Sequence, residues 1–250
     1  MTETARSSAQ PFSKAVADRM NARLKMWLEI CAHCGLCADT CHYYLANDRD
    51  PKMIPAYKAK KVLEAIKRKD RVDEAFLDDL YWRVYGECTM CRRCTMYCPF
   101  GIDIATITSM GRGLCVSQGK VPENLVKTIE NYLEHGNQMA ITKEEWIDTL
   151  EWMEEELQEE LPGATIPIDK KGANLLYTVN AREPKFYPMD ISQAAMIFYL
   201  AGEDWTVSTK GWDDTNLAMF AGDLKCAAYV SQLVRDAAEE LEVRRVAITE

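Results

Sequence analysis

Two cysteine runs constrain this chain more than anything else in it: Cys31-Ala-His-Cys34-Gly-Leu-Cys37-Ala-Asp-Thr-Cys41 and Cys88-Thr-Met-Cys91-Arg-Arg-Cys94-Thr-Met-Tyr-Cys98-Pro99. Both have the spacing C-x2-C-x2-C-x3-C, and the second adds the following proline. Three cysteines two residues apart wrap one loop around three corners of an iron–sulfur cubane. The fourth corner must be reached from elsewhere, because the chain has by then turned away. In two-cluster ferredoxins the fourth cysteine of each run ligates the other cluster. The expected ligand sets are therefore Cys31, Cys34, Cys37 and Cys98 for one [4Fe–4S] cluster, and Cys88, Cys91, Cys94 and Cys41 for the other. The exchange ties residues 31–41 to 88–98 and sets two clusters close together, as electron transfer requires. Structural zinc is the competing use of such residues. It takes four ligands, typically as paired cysteine units, and leaves the third cysteine of each run unexplained.

The rest of the composition narrows the setting. Eight of the ten cysteines lie in the two runs, and the chain is 250 residues long. That pattern points to metal in a reducing cytoplasm rather than to a secreted disulfide scaffold. A formal net charge of −9 argues against nucleic acid as a partner, since phosphate is bound by a basic footprint. The N-terminal stretch lacks the apolar core and small-residue cleavage site of a secretory signal. No apolar run approaches the roughly 20 residues that span a bilayer, so no transmembrane segment of its own is expected.

Residues 1–161 read as helix and loop, the fold of an α-helical ferredoxin domain. Residues 1–12 are polar and expected to be disordered. Ser13 caps a helix with Val16, Met20, Leu24, Trp27 and Leu28 on one face, delivering the chain to Cys31. A second helix carries Ala59, Val62, Leu63 and Ile66 opposite a lysine-rich face. A third starts near Asp73 and ends close to Gly86. Three more are expected at about 103–118, 122–134 and 143–161, the last opening with Thr142 and Glu145 in capping-box spacing. Residues 162–172 read as a linker. Strands at 174–179, 205–209 and 245–249 then alternate with helices opening at Asp190 and Asp223. This order predicts an α/β layer with a parallel sheet over 172–250. The sequence stops directly after the last strand, so this α/β domain reads as partial.

Four polar residues beside the runs keep more than one reading each. His33 and His42 either donate hydrogen bonds to cluster sulfurs, which tunes potential, or are surface histidines. Arg92 and Arg93 either offset the negative charge of a cluster or dock a partner, or are simply solvated. Cys115 and Cys226 read as buried structural thiols. No Gly-x-Gly-x-x-Gly follows a strand and no P-loop is present, so nucleotide binding is not expected.

With these motifs placed, the chain resembles the HdrD-like iron–sulfur subunits of heterodisulfide-reductase-related complexes, and within them the DsrK and TmcB types. The resemblance rests on Cys-His-Tyr-Tyr-Leu at 41–45 followed by Asp50-Pro51-Lys52, on Cys91-Arg-Arg-Cys94, on Cys98-Pro-Phe-Gly-Ile-Asp103, and on the 171–177 stretch. It implies an electron-transfer subunit that relays electrons between a membrane cytochrome b-type subunit, fed by quinol, and a disulfide-type acceptor. It also implies other redox subunits as partners, a cytoplasmic place peripheral to the inner membrane, and sulfur metabolism or anaerobic respiration as the context. In that family a further cluster sits in a cysteine-rich domain with Cys-Cys-Gly motifs. No Cys-Cys-Gly is present here, so the family's catalytic residues are not carried over. A third, noncubane cluster would lie in a missing C-terminal part or in a partner chain. An iron–sulfur subunit of a flavin dehydrogenase is the alternative; its succinate type would need a C-x4-C-x2-C set, which is absent.

Overall fold

The computed structural model describes residues 11–249. The fold is predominantly helical, with one small parallel sheet. The described residues fall into two compact units. One comprises 11–126 with the segment Met219–Asp223, the other Lys127–Ala218 with 224–249. Among the described residues, no helix is long and apolar enough to cross a membrane.

The first unit is built around α7 (Ile104–Ser117), against which α1 (Phe12–Arg19), α4 (Pro55–Arg68) and α5 (Glu74–Tyr81) pack. Its core joins Leu24, Val62, Leu80, Val84, Ile107 and Leu114, all essentially inaccessible. Ser13 is not a cap, since α1 begins at Phe12 after Pro11 and has no side-chain cap; the starts expected near Asp73 and 103 are capped. Asp73 accepts from the Phe76 N–H at 2.8 Å to start α5, and Asp103 accepts from the Thr106 N–H at 3.0 Å to start α7. The helix end before the second cysteine run is a π turn, Trp82–Gly86. Two further expectations are corrected here. The single helix from Ser13 to Cys31 is broken in two, because Asn21 takes an extended conformation and caps α2 (Ala22–Ile30) through Leu24 N–H at 2.9 Å. The disorder expected over 1–12 falls, for 1–10, outside the described residues, and fails at Phe12, which is buried at the start of α1.

In the second unit three strands, β1 (Leu175–Tyr177), β2 (Trp205–Thr206) and β3 (Arg245–Ala247), form a parallel sheet in the order β2-β1-β3. Leu175 pairs with Trp205 on one side and Arg245 on the other. Successive side chains of a strand point to opposite faces. Leu175 and Tyr177 accordingly join a core with Trp146, Leu150, Met153 and Leu157 of α9 (Lys143–Glu160) and Ile191 and Ala195 of α11 (Met189–Ala201). Leu176 faces Ala237 and Leu241, on or just after α13 (Leu224–Glu240). The capping box is formed: Thr142 and Glu145 exchange hydrogen bonds of 2.8 and 3.2 Å. The strands are shorter than the sequence suggests. Residues 162–171 are not a free linker, since Ile168 bridges to Val207 and Pro167 accepts from the Val207 N–H at 2.9 Å. The helices α8 (Glu123–His135) and α9, read from sequence with the cysteine-bearing half, belong mostly or wholly to the sheet unit, because the apolar stripe of α9 is what covers the sheet.

Asp213 is the buried charge of this unit. Its carboxylate accepts from the N–H groups of Gln138 at 2.8 Å and Thr215 at 3.1 Å. Burial pushes its pKa up to about 6, and those N–H groups hold it back only in part. A carboxyl raised on folding contributes stability that is present below its unfolded pKa and is lost as pH rises through its folded one. The unit should lose on the order of 3 kcal/mol from this group between about pH 4 and pH 6. Comparing thermal unfolding of wild type and Asp213→Asn across that range checks it. The variant should lack this decline, and parallel curves for the two proteins would contradict it.

Candidate iron–sulfur centre

The two cysteine runs lie mostly in loops of the first unit, with Cys94 in a short helical turn, Arg93–Met96, and each run begins with the same backbone device. His33 and Met90, third in their runs, have φ of 53° and 55°; Gly35 and Arg92, fifth in their runs, have φ of 82° and 63°. Left-handed residues at alternate positions curl a short loop, so that successive cysteines line one cavity. Glycine adopts this conformation without strain at the first site, and Arg92 does so at a cost.

The loops close around two cavities. One is lined by Cys31, Cys34, Cys37 and Cys98. The other is lined by Cys41, Cys88, Cys91 and Cys94. Each cavity thus takes three cysteines from one run and the last cysteine of the other, and Ile104, the first residue of α7, lines both. His33 lines the first cavity; His42, Arg92 and Arg93 line the second. Among the described residues the cysteines form no disulfide, and Cys115 and Cys226 are buried in α7 and α13.

The donor chemistry fits a cluster that brings thiolates together. Burial, then the neighbouring thiols, raise the Cys94 pKa to about 12; Cys88 is the largest of those neighbours, followed by Cys37. Burial likewise raises Cys37 to about 11, opposed by the Ala56 N–H. Such thiols would be protonated at neutral pH on their own, and a bound iron would hold them ionised. The Met90 N–H points at the Cys88 sulfur at 3.4 Å. Among the described residues, no three His, Cys, Asp or Glu side chains converge on a point where a single ion could sit. A cubane spreads its ligands over four iron corners instead of gathering them around one metal, so the two observations agree.

Asp103 fastens the second run to α7. Besides capping the helix, it pairs with Arg92 at 2.7 Å and accepts from the Thr95 hydroxyl at 3.0 Å. Burial works against its charge, but the Thr106, Thr95 and Arg92 contacts hold its pKa below the usual carboxylate range. Arg92 is thus an ion-paired side chain and not simply a solvated one. Asp103→Ala should cost about 1–2 kcal/mol through the lost cap and should loosen the Arg92–Thr95 turn. Urea unfolding and the decay of cluster absorbance in air would show both effects. Asp103→Asn, which keeps a capping oxygen, should lose less.

Two buried cations escaped the sequence reading. Lys58, on α4, is 2% exposed, lines the second cavity, donates to the Glu87 carbonyl, and lies 5.3 Å from the Tyr43 ring centre. It corrects the picture of α4 as lysines opposite an apolar face. Lys58, Val62 and Ala65 share one buried stripe at helical spacing, and that phase was visible in the sequence. Arg112, 4% exposed, donates to the carbonyls of Val84, Phe220 and Cys88. Its signal was the mid-helix Gly111-Arg112-Gly113, where glycines allow close approach.

Residues 27–102 match the family model described as a 4Fe-4S dicluster domain. Over 200 residues, 71% of this chain and 36% of the relative, the sequence is 29% identical to the "Hdr-like menaquinol oxidoreductase iron-sulfur subunit 2" of Archaeoglobus fulgidus. Over 189 residues, 68% of this chain and 33% of the relative, it is 27% identical to the "Hdr-like menaquinol oxidoreductase iron-sulfur subunit" of Archaeoglobus profundus. The chain spans about a third of the length of these curated relatives. No solved structure matches it. The resemblance to HdrD-like iron–sulfur subunits is thereby borne out: residues 27–102 are a 4Fe-4S dicluster domain, carried in a chain related to Hdr-like iron–sulfur subunits.

Proposed function

We propose that this chain is an electron-transfer subunit of an Hdr-like respiratory complex of the DsrK type, holding two [4Fe–4S] clusters. Cys31, Cys34, Cys37 and Cys98 hold one; Cys88, Cys91, Cys94 and Cys41 hold the other. The observation that carries this reading is the pair of four-cysteine cavities, each drawing its last cysteine from the opposite run. When bound, such clusters accept and release single electrons. The chain's part is to present eight thiolates and to bring the two sites together around Ile104. The relatives, known as menaquinol oxidoreductase subunits, support a menaquinol-oxidising partner; the family resemblance, not those relatives, is what points to a cytochrome b-type subunit in the inner membrane, met from the cytoplasmic side. The acceptor side is a disulfide-type centre, with a third, noncubane cluster held outside these 250 residues. On this reading the β1–β3 unit is the start of a cysteine-rich domain.

Fractionation of native membranes tests the assignment. The chain should stay with the membrane until detergent or high salt releases it, together with a b-type haem protein, and a menaquinol analogue should reduce its clusters in that assembly. Recovery of the chain alone, with clusters that quinol does not reduce, would refute the proposed partner.

A further inference from the structure

The two cysteine cavities are chemically unequal. The one lined by Cys41, Cys88, Cys91 and Cys94 is flanked by the two buried cations of the unit. Lys58 lines it directly. Arg112 stands behind Cys88, whose carbonyl it holds. Each donates to backbone carbonyls rather than to a carboxylate, so their charges are not cancelled by an ion pair. The other charges at this cavity largely cancel. Glu87 is bound by Arg83, and Arg92 is bound by Asp103; Arg93 is exposed to solvent. Around the other cavity the lining is Ala56, Phe100, Ile102 and Ile104 with His33, and among the described residues no lysine or arginine lines it. Lys60, beside Cys31 in an adjoining hollow, is exposed and screened.

A cubane held by four thiolates gains one negative charge on reduction. A cation kept out of water nearby stabilises the reduced form more than the oxidised one, because the local dielectric is low. Net charge and burial are among the factors that set these potentials. We infer that Lys58 and Arg112 raise the reduction potential of the cluster held by Cys41, Cys88, Cys91 and Cys94 above that of the other, making it the resting place of an electron entering the pair. This rests on the ligand sets proposed above. A one-electron donor would be oxidised as the cluster held by Cys41, Cys88, Cys91 and Cys94 is reduced, with no bond made or broken. The two residues would act by charge and so tune the site.

An EPR-monitored redox titration of the anaerobically purified full chain, with dithionite as reductant, tests this. Signals are assigned by which of them Cys41→Ser and Cys98→Ser disturb. The wild type should show two midpoints, with the higher belonging to the cluster that Cys41→Ser disturbs. Lys58→Met should lower that midpoint by about a tenfold change in the reduction equilibrium, equivalent to about 59 mV, and leave the other in place. Lys58→Arg and Arg112→Lys, which keep the charge, should move it far less. The reverse order of midpoints in the wild type overturns the inference without any variant. So does a Lys58→Met shift shared equally by both clusters, or no shift at all. A chain that binds no clusters sinks the ligand assignment and this inference with it; two clusters in the reverse order sink this inference alone.

Discussion

Cys98→Ser should abolish or severely perturb the cluster held by Cys31, Cys34 and Cys37, and spare the cluster of its own run. Cys41→Ser should do the opposite. The reason is positional. Cys98 lies in a cavity with the first three cysteines of the other run, and Cys41 with those of the second. Serine presents a harder, more basic oxygen where iron prefers thiolate, so each change should remove up to about four of eight irons. Metal analysis with cluster-resolved EPR separates the two outcomes. If each change disturbs only the cluster of its own run, the exchange between the runs is wrong.

Gly222→Ala should be the most destabilising single-methyl change in the cysteine-bearing unit. Gly222 has φ of 82°, and a Cβ there would sit 2.7 Å from both Arg112 Cβ and Gly113 N. Neither is the free end of a flexible side chain, so α7 or the Met219–Asp223 segment must move. Forcing a methyl into close packing costs about 1–3 kcal/mol, and a left-handed alanine adds about 1 kcal/mol. An equilibrium loss of about 3 kcal/mol in urea is the expected result. The displacement should also disturb Arg112, which donates to Phe220 in the same segment and to Cys88 at the cluster site. Altered EPR of the second cluster should therefore accompany the lost stability. Wild-type stability in the variant would contradict the close approach.

The gathering of eight cysteines into two cavities was legible because spacing alone carries it. Two identical C-x2-C-x2-C-x3-C runs admit few uses, whatever surrounds them. Helix starts were legible where a side chain satisfies an orphan N–H locally, as at Asp73, Asp103 and Thr142. The break at Asn21 went unread because the apolar spacing from Val16 to Leu28 continues across it, and periodicity outweighed a single polar cap. Lys58 and Arg112 went unread for a different reason. Their burial depends on carbonyls of residues distant in sequence, Glu87 for one and Val84, Cys88 and Phe220 for the other. The placement of α9 with the sheet also depends on tertiary contacts. Its stripe of Trp146, Leu150, Met153 and Leu157 announces a buried face but not its partner. The strands came out short because pairing with Ile168 and Asp213 continues as isolated bridges, not as ladders.

The central claim is that eight cysteines hold two four-iron clusters. The most direct measurement is iron and acid-labile sulfide per chain after anaerobic purification, with EPR of the dithionite-reduced protein. About eight of each per chain are expected, with a spectrum broadened by interaction between two neighbouring paramagnets. About one zinc per cysteine run, with no iron, no sulfide and no EPR signal, would contradict it.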